Sequence, residues 1–202
     1  LGSTVYLNVN SESGGPVHWH ADIEYWACGN ELELRDPRGA LSNKIGTAVL
    51  HEHDDHRIHL EGVVVEKAND ASLGKFMYVV GGALTENALL LPLNAESGRW
   101  FEDEVDGDGP SSRNTALVAP YIYNDAEEGV FAQFIDGQKC GEEVADVQTY
   151  VYHYVEGEDV YWQEKLSQPE FYSIYEDPNV PPGDCIIVEF GPESDRTDKL
   201  CA

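Results

Sequence analysis

Along most of this chain, apolar and polar residues alternate with a period of two. The pattern runs through TVYLNVN (4–10), VHWHADIEYWA (17–27), HRIHLEGVVVE (56–66), VFAQFID (130–136), VQTYVYHYVE (147–156), DVYWQ (159–163) and CIIVEF (185–190). Residues i and i+2 share a face of an extended strand, so this alternation predicts strands with one face buried. YVYHYVEGEDVYWQE predicts a hairpin turned at Gly157–Glu158–Asp159. Its Tyr150, Tyr152 and Tyr154 fall opposite Val151, His153 and Val155, and a tyrosine stripe of this kind is expected to pack across strands. The period changes once. In DASLGKFMYVVGG (70–82), Leu73, Phe76, Met77 and Val80 recur at i, i+3, i+4 and i+7, which predicts a short helix over about 72–80. Ser72 or Asp70 can cap its start, and Gly81 suits a left-handed position after its end. The expected class is mostly β, an α+β arrangement of antiparallel sheet with one short helix packed on it.

A length of 202 residues fits one domain, 1–202, in which the polar, glycine-rich stretch from about 92 to 114 reads as a surface insertion. No stretch approaches the roughly 18 consecutive apolar residues of a membrane helix, so membrane insertion is not expected. The first residue is Leu1 and not Met, which is the expectation for a mature secreted chain. With 38 acidic against 12 basic residues, the net charge is −26. Such a surface repels phosphate backbones and anionic lipid, so nucleic acid is excluded as a partner, while cations are attracted. Cys28, Cys140, Cys185 and Cys201 are an even set without CxxC spacing, which predicts two disulfides and a secreted, extracellular or cell-surface location. Three connectivities are open. A Cys185–Cys201 bridge would staple the C-terminal tail, a loop closure worth roughly 3 kcal/mol.

The candidate chemistry lies in the histidines. Six of the seven fall between His18 and His59. In PVHWHADIEYW, His18, His20, Asp22 and Glu24 share one strand face, while Trp19, Ile23 and Tyr25 share the other. The apolar side requires burial, so the His/Asp/Glu side is expected to face solvent, a cleft or a metal. In LHEHDDHRIHLEG, His51 and His53 share parity, His56 follows the Asp54–Asp55 turn signal, and His59 and Glu61 alternate with Ile58 and Leu60. Imidazole nitrogen and carboxylate oxygen suit first-row transition ions, and a thiolate-poor extracellular set favours copper or zinc. The expected ligands are His18, His20, His51, His53, His56 and His59. Two HxH pairs on adjacent strands would offer four imidazoles to one ion, or form two sites sharing an edge. Asp22, Glu24, Asp54, Asp55 and Glu61 are the candidates to orient the rings. His153 is read as a strand-face histidine. Separately, EDEVDGDGP places Asp103, Asp106 and Asp108 in a glycine-containing loop whose oxygens would accept calcium.

Two families share parts of this pattern. HWHADIEYWACGNELEL resembles the first cupin motif, an HxH followed by a glutamate and a glycine before a strand. More of the chain resembles a family of secreted or membrane-anchored archaeal and bacterial proteins. HWHADIEYWACG, LHEHDDHRIHLEG, SLGKFM, FAQFIDGQK and PPGDCIIVEFG stand in that family's order. PPGD leading into an apolar strand is also similar to a β-grasp ending. The second resemblance implies an extracellular metal-binding module and no particular reaction.

The leading expectation is therefore an extracellular protein that binds copper or zinc through a histidine cluster. TVYLNVN would be available for strand-addition self-assembly into a surface filament. One alternative is a cupin-like or hydrolytic metalloenzyme with Glu24 or Glu61 as acid or base. The other is a purely structural surface protein whose histidines make only hydrogen bonds.

Overall fold

The computed structural model describes residues 10–37, 43–94, 122–125, 129–155, 160–174 and 183–201. Among them the chain forms β1 (Pro16–Ala27), β2 (Asn30–Leu32), β3 (Ile45–Gly46), β4 (Leu50–Glu52), β5 (Arg57–Val63), a helical turn at Lys67–Asp70, and helix α1 (Leu73–Val79). There follow β6 (Ala83–Thr85), β7 (Ala88–Leu93), β8 (Ile122–Asp125), β9 (Gly129–Ile135), β10 (Gln138–Cys140), β11 (Glu143–Val155), β12 (Val160–Leu166) and β13 (Asp184–Gly191). The class is mostly β with one short helix packed on the sheets. No described helix is long and apolar enough to cross a membrane.

Two sheets share one core. The larger runs β10-β11-β13-β1-β5-β4-β3, with β12 also paired to β11 and β2 to β1. The smaller runs β6-β7-β9-β8. Trp19, Ala21, Ile23 and Tyr25 of β1, Ile58 and Leu60 of β5, and Ile186, Val188 and Phe190 of β13 form the inner face of the large sheet. Against them lie Leu89, Leu91 and Leu93 of β7 and Ala132 and Phe134 of β9. The rings of Phe134 and Phe190 stack with centroids 4.8 Å apart. This common inner layer removes a large apolar area from water, the main favourable term in folding.

The helix has the predicted stripe. Leu73, Phe76, Met77 and Val80 are all buried in the core. Of the two candidate caps it is Ser72 that acts, its hydroxyl accepting from the Lys75 N–H. Asp70 instead accepts from the backbone N–H groups of Val65 and Glu66. Gly81 follows the helix with φ +93°, a conformation that an L side chain resists. The Tyr25 hydroxyl meets Met77 Sδ at 3.2 Å and ties the helix to β1.

Several boundaries differ from the sequence expectation. The sheet is mixed, because β13 runs parallel to β1 at its centre. The apolar strand expected of CIIVEF is this one, Asp184–Gly191. Gly183, with φ +75°, precedes it so closely to β1 that a Cβ would lie 2.7 Å from the His20 carbonyl oxygen. Pro92 and Leu93 are not part of a surface insertion. They are buried in β7, paired with Phe131 and Val130, since ALLLPL is a near-continuous apolar run and not an alternating one. The rest of that expected insertion, residues 95–114, lies outside the described residues, as does the expected turn at 157–159. Of TVYLNVN only Asn10 is described, and it is helical.

Both expected disulfides are present. Cys28–Cys140 fastens the end of β1 to β10, and Cys185–Cys201 fastens the C-terminal tail to β13. The tail lies over the outer face of the sheet, where Tyr150 donates to the Ser194 carbonyl, Tyr152 to the Thr197 carbonyl, and Lys199 sits over the Trp26 ring. The tyrosine stripe therefore packs against the tail as well as across strands.

Candidate metal centre

Register decides which histidines meet. In β1 and β5, His20 pairs with His59 and His18 with Glu61; in β4 and β5, His51 pairs with His59. Directly paired residues project from the same face. His20, His59 and His51 therefore form a row across three strands on the outer face. The two HxH pairs are not on adjacent strands, as the sequence suggested, because β5 lies between them and contributes the middle imidazole.

Two sets of three ligand atoms result, each within 4.8 Å: His18, His20 and His59, and His51, His53 and His59. Ring centroids are 4.6 Å apart for His18–His20, 4.8 Å for His20–His59, 4.8 Å for His51–His53 and 4.7 Å for His53–His59. The His51 and His59 rings are stacked, 5.5 Å apart. His18 is exposed, His20, His53 and His59 are half-buried, and His51 is wholly buried.

The partners of these rings determine which nitrogens stay free. His53 Nδ1 lies 2.7 Å from the Asn43 carbonyl oxygen, which can only accept, so the proton is on Nδ1 and a neutral ring keeps its lone pair on Nε2. The Lys44 ammonium, which can only donate, lies 3.2 Å from His51 Nε2. That Nε2 then directs its single in-plane lone pair at the ammonium, and the same atom lies 3.1 Å from His53 Nε2. Two acceptor nitrogens this close need a cation beside them, a place that Lys44 fills here. A separation of 3.1 Å corresponds to an angle of roughly 100° at an ion held at about 2.0–2.1 Å. With its proton on Nδ1, the buried His51 ring leaves that group without a hydrogen-bond partner.

His59 Nε2 lies 3.0 Å from Asp55 Oδ2, and His18 Nε2 lies 3.2 Å from Glu61 Oε1. In each case the carboxylate accepts from the Nε2 N–H of the neutral ring, which puts the lone pair on Nδ1, the arrangement by which carboxylates orient metal-binding imidazoles. Glu61 also reaches Lys44 Nζ at 3.6 Å and His51 Nε2 at 4.0 Å through Oε2.

Electrostatics keep the inner rings neutral. Burial pushes the His51 imidazole down to about 4, helped by the neighbouring Lys44 charge. Burial likewise lowers His20, followed by His59 and His18 beside it. For Glu61, burial is outweighed by Lys44, His51, His18 and His59, which together hold the carboxyl below its ordinary value. Asp55 is also lowered: burial opposes the shift, and the hydrogen bond from His59 overcomes it.

Other expected site residues lie elsewhere. His56 has the parity of Ile58 and φ +56°, so it turns away from the row and lies 3.8 Å from Glu31. Asp22 and Glu24 are held by side chains other than the histidines of the row in the contacts described. Asp22 is buried and accepts from Arg57 Nε at 2.6 Å, while Glu24 is buried and accepts from the Trp26 indole at 3.0 Å. Asp54, at φ +67°, groups with Glu33 and Asp36. Asp103, Asp106 and Asp108 lie outside the described residues. His153 is a strand-face histidine whose Nδ1 and Nε2 meet Asp184 and Glu164. Lys44 and the Asn43 carbonyl were not anticipated. They come from the segment before β3, where no local pattern points to imidazoles several residues ahead.

No protein-family model, curated protein or solved structure matches this chain, so the site is read from its own residues and geometry.

Proposed function

We propose that this chain is an extracellular or cell-surface protein that binds a transition metal, copper or zinc, through His18, His20, His51, His53 and His59. The observation that carries the reading is the 3.1 Å approach of the His51 and His53 Nε2 atoms, within a row of imidazoles in which His53, His59 and His18 each have one nitrogen against a protein acceptor. Nitrogen donors without thiolate suit both ions. Two disulfides and a net charge of −26 support the extracellular part of the reading. Self-assembly through TVYLNVN belongs to the same proposal.

The test is elemental analysis of protein purified without chelator or added metal, with electron paramagnetic resonance on the same sample. Copper or zinc at one equivalent or more per chain, reduced by His53→Ala, is the expected result. Metal content below one-tenth of an equivalent, with none taken up on titration, would leave the imidazoles as hydrogen-bonding surface groups.

A further inference from the structure

We infer that the face holds two ions per chain and not one, with β5 between them; this rests on the metal-binding reading above. Neighbouring strands lie about 4.8 Å apart, so β1 and β4, on either side of β5, are separated by about 10 Å. β1 carries one HxH pair, and β4 with the residue that follows it carries the other. The β1 pair and the β4 pair fall into separate ligand sets that have only His59 in common. First-row ions bind imidazole nitrogen at about 2.0–2.1 Å, so one ion cannot take both pairs without a large lean of the side chains. The central strand supplies the groups that lie between: His59 belongs to both sets, and Glu61 lies within 4.0 Å of one ring of each. Its Oε1 is 3.2 Å from His18 Nε2, and its Oε2 is 4.0 Å from His51 Nε2.

The outer ion takes His18 and His20, and the inner ion takes His51 and His53 through their facing Nε2 atoms. His59 Nδ1 completes one set and a Glu61 oxygen the other, so each ion has three protein ligands and a position open to solvent. Two carboxylates and five neutral imidazoles leave the filled site with a net positive charge, which the surrounding acidic surface favours. The Lys44 ammonium, 3.2 Å from His51 Nε2, is the cation that the inner ion displaces.

The experiment is native mass spectrometry of the full chain titrated with Cu(II) and separately with Zn(II). It is run on the wild type, on His18→Ala/His20→Ala, and on His51→Leu/His53→Ala. Two ions are expected in the wild type and one in each variant. The Cu(II) resonance should be broadened by dipolar coupling at two equivalents in the wild type and sharp at saturation in either variant. Far-UV circular dichroism checks that each variant is folded, and His53→Ala alone replaces the second pair if loss of the buried His51 unfolds the chain. One ion per wild-type chain, whichever pair it depends on, overturns the two-ion inference and leaves the metal-binding reading intact. No ion at all removes both.

Discussion

The outer face of the large sheet has two halves built on the same backbone scheme and finished in opposite ways. Over β13, β11 and β12 it carries Cys185, Ile187, Tyr150 and Tyr152, and the C-terminal tail covers it. Over β4, β5 and the start of β1 it carries imidazoles, of which His18, His20, His53 and His59 keep access to solvent while His51 is buried. β1 passes from one half to the other. On this face its side chains go from His18, 62% exposed, through half-buried His20 to Asp22 at 7% and Glu24 at 4%. The polar alternation is unbroken along the strand, so cover and not pattern makes His18 a potential ligand and Glu24 an internal acceptor.

The comparison breaks most sharply at the tail. Cys185→Ser/Cys201→Ser should cost about 3 kcal/mol of stability, the loop-closure term for a bridge of this size, measured by urea unfolding. Metal uptake by the folded protein should stay within twofold of the wild type, because the described contacts of the tail, such as those with Tyr150, Tyr152, Lys165 and Trp26, do not include the five imidazoles. A parallel loss of metal binding would show that the halves are one unit.

Acid should act on the open half. The His51 imidazole sits at about 4 in the folded chain against an ordinary 6.5. Between these values the unfolded chain takes up a proton that the folded chain refuses, so metal-free stability falls as pH drops from about 6.5 towards 4, by about 2–3 kcal/mol. His20 acts in the same direction. His153 opposes it: the hydrogen bond to Asp184 raises its imidazole, which adds stability below 6.5 that is lost as pH rises through the folded value. Flat stability over this window in metal-free protein would contradict the buried, neutral state of His51.

His51→Leu sharpens the point. It removes a buried ring nitrogen without a partner, and should stabilise the metal-free chain by about 1–2 kcal/mol while flattening its acid response. Such a gain in stability at the expense of binding would mark His51 as a residue retained for its ligand. A loss of stability would mean that its packing outweighs the unpaired nitrogen.

The smallest effect is expected at Lys44. Lys44→Met removes the positive charge beside His51 Nε2, and should tighten binding of the first Cu(II) or Zn(II) by on the order of tenfold, read by calorimetry. Its half-exposed position limits the change. Unchanged or weaker binding would mean that the ammonium is not what the metal displaces.

Sequence alone determined the parity of the strands, because alternation is a local property of an extended chain. It separated Trp19, Ile23 and Tyr25 from His18 and His20, and Leu60 from His59 and Glu61. It also determined the helix, whose stripe and cap lie within ten residues, and the presence of two bridges. His56 was legible as well, since it has the parity of Ile58, yet its place among the other histidines drew it into the expected ligand set. Tertiary structure alone decided which strands are neighbours. That β5 stands between the two HxH pairs, that β13 lies parallel to β1, and that the tail covers Ile187 but not His59 depend on contacts between residues far apart in the chain. These contacts are selected by burial of the common inner face, to which the outer-face histidines contribute little. The histidines were assembled by the packing of Trp19, Ile58 and Leu60 beneath them, and no pattern among the histidines themselves could have shown that.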